Sequence, residues 1–145
     1  MGAASFGATP PNFDLAPGTV MPDLRLQNHD ETSVSLGRDI PASAVYLVLS
    51  LQCPLCVDLM PWVSDLAQRV PAPHLVILCD GTPEEHQEIV DYYGWSLPVL
   101  TLTELAKESL NIAVHPCVLI TDSEGRIRDQ RLITHPRELL QLQLG

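Results

Sequence analysis

Two cysteines with two residues between them, Cys53-Pro54-Leu55-Cys56, follow directly on an apolar run, Val45-Tyr46-Leu47-Val48-Leu49-Ser50-Leu51. A segment of helical period comes next. No other feature constrains the chain as tightly, because a buried strand that delivers a Cys-x-x-Cys to the first turn of a helix describes a reactive dithiol on a β–α unit. Val45 to Leu51 is apolar nearly throughout, as a central strand covered on both faces requires. Leu55, Leu59, Trp62, Leu66 and Val70 then recur at helical spacing, with Asp58, Asp65 and Arg69 on other faces. Pro54 falls at the first helical position, where its missing N–H costs little. Pro61 lies inside the helix and should kink it; Pro71 and Pro73 end it.

The rest of the chain fits around this unit. Residues up to Met21 are rich in Gly, Ala, Pro and Ser and read as a flexible lead-in over 1–21, with one folded domain over 22–145. Leu24 and Leu26, then Val34 and Leu36, flank the polar Asn28-His29-Asp30-Glu31 and predict two short strands joined by a turn. His74 to Cys79 reads as a second buried strand. Thr82-Pro83-Glu84-Glu85 carries a capping-box signature for a helix running to Tyr93, with Gly94 as its stop. Trp95 to Leu100 is a connection or short strand, and Thr103 to Leu110 a short helix. Cys117 to Ile120, the turn at Asp122-Ser123-Glu124-Gly125 and Arg126 to Ile133 predict an antiparallel hairpin. A helix opening at Pro136 closes the chain. The sum is an α/β domain with a central mixed β-sheet flanked by helices, preceded by an N-terminal β extension.

Partners are narrowed by charge. Eight basic against eighteen acidic residues give a formal charge of -10 over 145 residues, which argues against nucleic acid. No apolar run approaches the roughly 18 residues needed to cross a bilayer, and the N-terminus lacks the basic and apolar regions of a signal peptide. Met1-Gly2-Ala3-Ala4-Ser5 is compatible with a start from which an upstream anchor or signal has been removed.

On a helix, residues three apart share a face, so the two sulfurs can close a small disulfide ring. Cys53, at the helix start, is near unpaired N–H groups and the positive end of the dipole, and both favour thiolate. Pro54 has no N–H to offer, so the donors come from Leu55 and Cys56, and Leu55 adds no charge. Cys53, at the exposed turn, is therefore the expected nucleophile, and Cys56, one turn in and more shielded, the resolving thiol. A structural zinc site would need a closed ligand set, and the chain has no second Cys-x-x-Cys and no His-x-x-x-His. No metal and no cofactor are expected beyond a redox-active Cys53–Cys56 disulfide.

The strand, the Cys53-to-Cys56 motif, Pro61 eight positions after Cys53 and Pro116 at the opening of a later strand together resemble the thioredoxin superfamily. Gly18 to Leu36 and the hairpin around Ile120 to Ile127 resemble its membrane-anchored TlpA/ResA branch. Ser50 to Pro61, Leu78 to His86 and Val114-His115-Pro116 onward are most similar to the methylamine-utilisation protein D (MauD) group. The likeness runs from about Pro17 to the C-terminus. It implies a thioredoxin-like fold and a periplasmic thiol–disulfide oxidoreductase, usually anchored by an N-terminal helix. Its partners would be a protein thiol or disulfide substrate and an upstream redox protein. In the MauD case it would assist disulfide formation or correction in the small subunit of an amine dehydrogenase. It also implies a cis Pro116 facing the Cys53 sulfur and lining the groove where a partner's backbone docks.

Three departures from the pattern matter. Gln52 stands where thioredoxins carry Trp, so the groove rim is more polar. Leu47 stands where thioredoxin has a buried Asp, six residues ahead of the nucleophile, so proton transfer at Cys56 must use water or another group, with Asp80 a loose candidate. Cys117 follows the proline; it reads as a buried structural thiol, with a third active thiol as the alternative. His115 has two readings, electrostatic support of the Cys53 thiolate or a backbone contact to the partner. His29, His74, His86 and His135 read as surface or cap residues.

Two other functions compete with disulfide exchange. A thiol peroxidase of the peroxiredoxin type would use Ser50, three before Cys53, but the upstream loop lacks the proline of that motif. A metal-binding carrier of thioredoxin fold would want a longer cysteine spacing plus a histidine for copper.

Overall fold

The computed structural model describes residues 18–112 and 115–142. Most of the 1–21 lead-in, and Val114 of the MauD likeness, lie outside the described residues. Residues 18–21 of that lead-in are described. Gly18 N–H donates to the Ile127 carbonyl at 2.7 Å, Ile127 N–H to Thr19 at 2.7 Å and Met21 N–H to Gly125 at 2.9 Å. Val20 bridges Arg126, and Met21 is buried. Residues 18–21 are thus tied to the late hairpin, because backbone hydrogen bonding can anchor a segment that has no hydrophobic period to reveal it.

β1 (Arg25–Gln27) and β2 (Ser33–Ser35) form the expected antiparallel pair. β3 (Val45–Leu49) leads through residues 50–53 into α1 (Pro54–Arg69), which is assigned as one continuous helix through the exposed Pro61. β4 (Leu75–Cys79) leads to α2 (Pro83–Tyr93), whose capping box forms as the sequence predicts: Thr82 Oγ1 accepts from Glu85 N–H while the Glu85 side chain accepts from Thr82 N–H. Gly94 ends α2 at φ 68. Trp95 to Leu100 yields a real strand, β5 (Val99–Thr101), before α3 (Glu104–Ser109). β6 (Cys117–Thr121) and β7 (Ile127–Leu132) form the hairpin. The closing segment, Pro136–Gln141, is a 3-10 helix capped by His135, where an ordinary helix was expected; a six-residue element has too few turns for periodicity to separate the two.

The five-stranded sheet has the order β5-β4-β3-β6-β7. β3, β4 and β5 run parallel, and β6 joins β3 antiparallel. Strand alternation sorts the core into two layers. Val45, Leu47 and Leu49 pack with Cys56, Leu59, Val63 and Leu66 of α1 on one face. Tyr46 and Val48 pack with Met21, Leu26, Ala106 and Leu110 on the other. Complete burial of a leucine such as Leu59 or Leu66 is worth roughly 1.5–3 kcal/mol over its exposed state. That burial fixes α1 against the sheet, and with it the position of the dithiol.

Candidate active site

Parallel pairing of β3 with β4 sets Leu49 beside Cys79, so the residues that follow the two strands, Ser50 and Asp80, emerge side by side. Ser50 Oγ donates to Asp80 Oδ2 at 2.7 Å, and Leu51 N–H donates to Asp80 Oδ1 at 2.8 Å. Gln52 N–H donates to Ser50 Oγ at 3.2 Å, and Cys53 N–H to the Ser50 carbonyl at 3.3 Å. One carboxylate therefore holds the turn that carries Gln52 and Cys53. Behind Asp80, His86 Nε2 lies 2.6 Å from the Asp80 carbonyl oxygen. His86 is completely buried, where the sequence reads it as a surface or cap residue. The acidic, capping-box sequence around it concealed the inward face of the first helical turn.

Cys53 is the N-cap of α1 and is partly exposed; Cys56 is fully buried one turn on. Cys56 N–H donates to Cys53 Sγ at 3.3 Å. On its other side the Cys53 thiol points to the His115 carbonyl oxygen, 3.8 Å away. The His115–Pro116 bond is cis. Pro116 itself is buried, and its carbonyl accepts from Ile133 N–H at 3.0 Å. It is the His115 carbonyl, at the rim, that lies in contact with Cys53. Gln52 and Pro54 are exposed and Leu55 half-buried beside it.

The His115 ring lies beside both thiols. Its Nδ1 is 4.0 Å from Cys56 Sγ, while the main-chain carbonyl of the same residue is the group 3.8 Å from Cys53 Sγ. Cys53 Sγ, Cys56 Sγ and a ring nitrogen of His115 lie within 4.8 Å of one another, and no further metal-binding side chain joins them among the described residues. These three atoms are therefore where a soft metal ion would have to bind, short of a closed zinc set.

Burial pushes the Cys56 thiol up to about 12. The Cys53 sulfur and the Asp80 charge add to that, against an opposing hydrogen bond from the Ser50 N–H. Burial works to raise Asp80 as well, but the Leu51 N–H and the Ser50 hydroxyl outweigh it and hold the carboxyl below its ordinary range. Asp80 is thus an ionised clamp with both oxygens engaged, a poor acceptor for the Cys56 proton. The Ser50 hydroxyl, on which a peroxidase would depend, is given to that clamp.

Cys117 sits opposite Val48 and packs in the layer on the far face of the sheet from Cys56. Its burial raises its thiol to about 12. Cys79 is buried on the dithiol side, with its thiol also pushed up by burial and then by Asp80. All four cysteines are free thiols.

No protein-family model matches the sequence, and no curated protein matches it. Solved structures do. The thioredoxin domain of a thiol-disulfide oxidoreductase from Bacteroides vulgatus is similar at a TM-score of 0.68 and 19% identity, over 82% of this chain and 90% of that one. A thio-disulfide isomerase from Thermus thermophilus reaches 0.70 at 19% identity, over 87% and 92%. A secreted Mycobacterium tuberculosis disulfide oxidoreductase homologous to E. coli DsbE reaches 0.65 at 17% identity, over 81% and 91%. Likeness at such identities establishes the fold: the chain has a thioredoxin-like fold, a central mixed sheet flanked by helices.

Proposed function

We propose that this chain is a thiol–disulfide oxidoreductase that exchanges disulfides with protein substrates through Cys53 and Cys56. One observation carries the reading: a partly exposed thiol caps the α1 N-terminus, while its partner thiol lies fully buried one turn along the same helix. Cys53 is the nucleophile that forms the mixed disulfide, and Cys56 closes the internal disulfide and releases the partner. The redox centre is that disulfide, with no cofactor. The His115 carbonyl and the exposed Gln52 edge the groove in which a partner's backbone docks, with Pro116 beneath. The names of the three structural neighbours described above, a thiol-disulfide oxidoreductase, a thio-disulfide isomerase and a disulfide oxidoreductase, support the same reading.

Motif likeness to the TlpA/ResA branch and its MauD group, together with one neighbour described as secreted, supports an extracytoplasmic setting and a role in maturing an exported protein such as an amine dehydrogenase subunit. Among the described residues no helix is long and apolar enough to cross a membrane, so an anchor, in this reading, belongs to a segment outside them.

The test is catalysed reduction of insulin disulfides by the dithiothreitol-maintained protein. Wild type should accelerate it, Cys53→Ser should abolish the acceleration, and Cys56→Ala, reduced and then freed of dithiothreitol before insulin is added, should accumulate a covalent Cys53–insulin adduct. Exchange that survives Cys53→Ser would refute the assignment.

A further inference from the structure

The buried resolving thiol has a proton to lose and no acid in the strand beneath to take it. Leu47, fully buried against the same layer as Cys56, contributes only hydrocarbon, and Asp80 has both oxygens engaged by Ser50 and Leu51. What does stand next to Cys56 Sγ is Nδ1 of His115, at 4.0 Å, on a residue that is itself partly exposed. We propose that His115 is the general base and acid of the exchange reaction, moving the Cys56 proton between the buried sulfur and solvent. This role rests on the exchange reaction proposed above and adds a catalytic residue to it.

The step balances as follows. The partner's disulfide has already been opened by Cys53, giving a Cys53–partner mixed disulfide and one partner thiol. Neutral His115, with its ring proton on Nε2, accepts the Cys56 S–H proton at Nδ1. The Cys56 sulfur then attacks Cys53 Sγ; the Cys53–Cys56 bond forms and the Cys53–partner bond breaks. The partner sulfur leaves with the electron pair of that bond and takes up a proton, to which the imidazolium is the nearest donor. The dithiol is oxidised by two electrons, and the partner's disulfide is reduced by two. In the opposite direction the imidazolium returns its proton to Cys56 as that sulfur leaves.

Formation of the mixed disulfide itself prepares the transfer. Cys53 raises the Cys56 pKa both by its hydrogen bond and by its charge, and both contributions go when Cys53 is tied to the partner. Groups that face the His115 ring are the two thiols of α1 and, electrostatically, the Asp80 carboxylate after β4; Lys107 of α3 acts on Asp80 in the same sense as His115. Asp80 thereby stabilises the imidazolium it cannot replace as a base. An imidazole can take and return a proton in the neutral range, and a well-placed general base gives roughly 10²- to 10⁴-fold.

The experiment is a stopped-flow reaction of the reduced protein with 5,5′-dithiobis(2-nitrobenzoate). Attack by Cys53 releases one thionitrobenzoate; closure by Cys56 releases the second. In wild type the second release should rise with pH through a bend that depends on His115. In His115→Gln the bend should vanish and the neutral-pH rate fall on the order of 100-fold, the two proteins converging at high pH where hydroxide takes the proton. Added imidazole should restore the second release in His115→Ala. A wild-type profile without the bend overturns the proposal, as does a His115→Gln second release that keeps both its bend and its rate. The first release separates the two readings: if it fails in wild type the exchange function fails, whereas a normal first release with a second release indifferent to His115 sinks only the base.

Discussion

Oγ of Ser50 lies 2.7 Å from Oδ2 of Asp80, joining the residue after β3 to the residue after β4. Two parallel neighbouring strands end level with one another, and the chemistry of the site begins in the two loops that leave them, the usual place for a binding site in an open α/β sheet. Asp80 is a positioning residue: it holds Ser50 and Leu51, and through them the turn that presents Cys53.

Asp80→Asn keeps the shape but removes the charge and one acceptor. The turn should lose about 1–3 kcal/mol of stability. Because the Asp80 charge opposes ionisation of both Cys56 and Cys79, their thiolates should appear at lower pH. Thiolate absorbance of the reduced protein, titrated against pH in both proteins, checks this. An unmoved or upward-moved titration contradicts it.

Alkylation should order the four thiols. Cys53 is the partly exposed one, whereas Cys56, Cys79 and Cys117 are buried. A pKa of about 12 leaves Cys56 or Cys117 on the order of 10⁻⁴ ionised at pH 8. Iodoacetamide at pH 8 should label Cys53 of the reduced protein at least about 100-fold faster than either, and all four should label together after unfolding. Peptide mass mapping showing early label at Cys117 would show that β6 does not hold it in the far layer.

Gly81 answers to the same turn from below. Its φ is +100, and a Cβ added there would lie 2.7 Å from Leu51 Cδ1 and 3.0 Å from Glu85 Oε1. Gly81→Ala should cost about 1–3 kcal/mol in denaturant unfolding. By pushing Leu51 it should also slow the first thiol reaction of Cys53. A midpoint equal to wild type would mean the loop yields freely.

Stability should fall at both ends of the pH scale. Asp23, Asp30, Asp122 and Glu138 are held below their ordinary range by hydrogen bonds from the Ser35 hydroxyl, the Thr32 hydroxyl, the Arg126 N–H and the Thr134 N–H respectively. A lowered pKa contributes stability that is present above the unfolded value, about 4, and lost as pH falls through the folded one. Burial raises Cys56 and Cys117 from 9.0 to about 12. A raised pKa contributes stability that is present below about 9 and lost as pH rises toward 12. Thermal unfolding of the reduced protein from pH 3 to 11 should give a dome, and Asp122→Asn should flatten its acid side. A midpoint that climbs on acidification below pH 4 would contradict the carboxylate contribution.

Much of the scaffold was legible because its causes are local. Five consecutive apolar residues, short and rich in Val, Ile and Leu, at Val45 to Leu49 and again at Leu75 to Cys79 read as strands covered on both sides, and both are. Pro54 and the spacing of Leu55, Leu59, Trp62 and Leu66 mark α1, and Thr82 with Glu85 marks the start of α2. Less legible were features whose partners are distant in sequence. Thr19 to Met21 carry no pattern that announces their pairing with Gly125 to Ile127, and His86 is drawn inward only because α2 packs against the Asp80 turn.

By itself the sequence determined the dithiol, the helix that carries it, and the exposed and shielded ranks of Cys53 and Cys56, since helix capping and 3.6-residue periodicity act within a few residues. Tertiary structure decided the rest of the site. Period-two alternation says that Cys117 and Val118 face opposite sides of the sheet, but only the antiparallel register with Val48 and Leu47 says which side holds the dithiol. In the same way nothing local tells whether His115 serves Cys53 or Cys56. The approach of β6 to β3 brings a residue 59 positions along the chain to 4.0 Å from the Cys56 sulfur, and long-range pairing of strands, rather than any neighbouring residue, sets that distance.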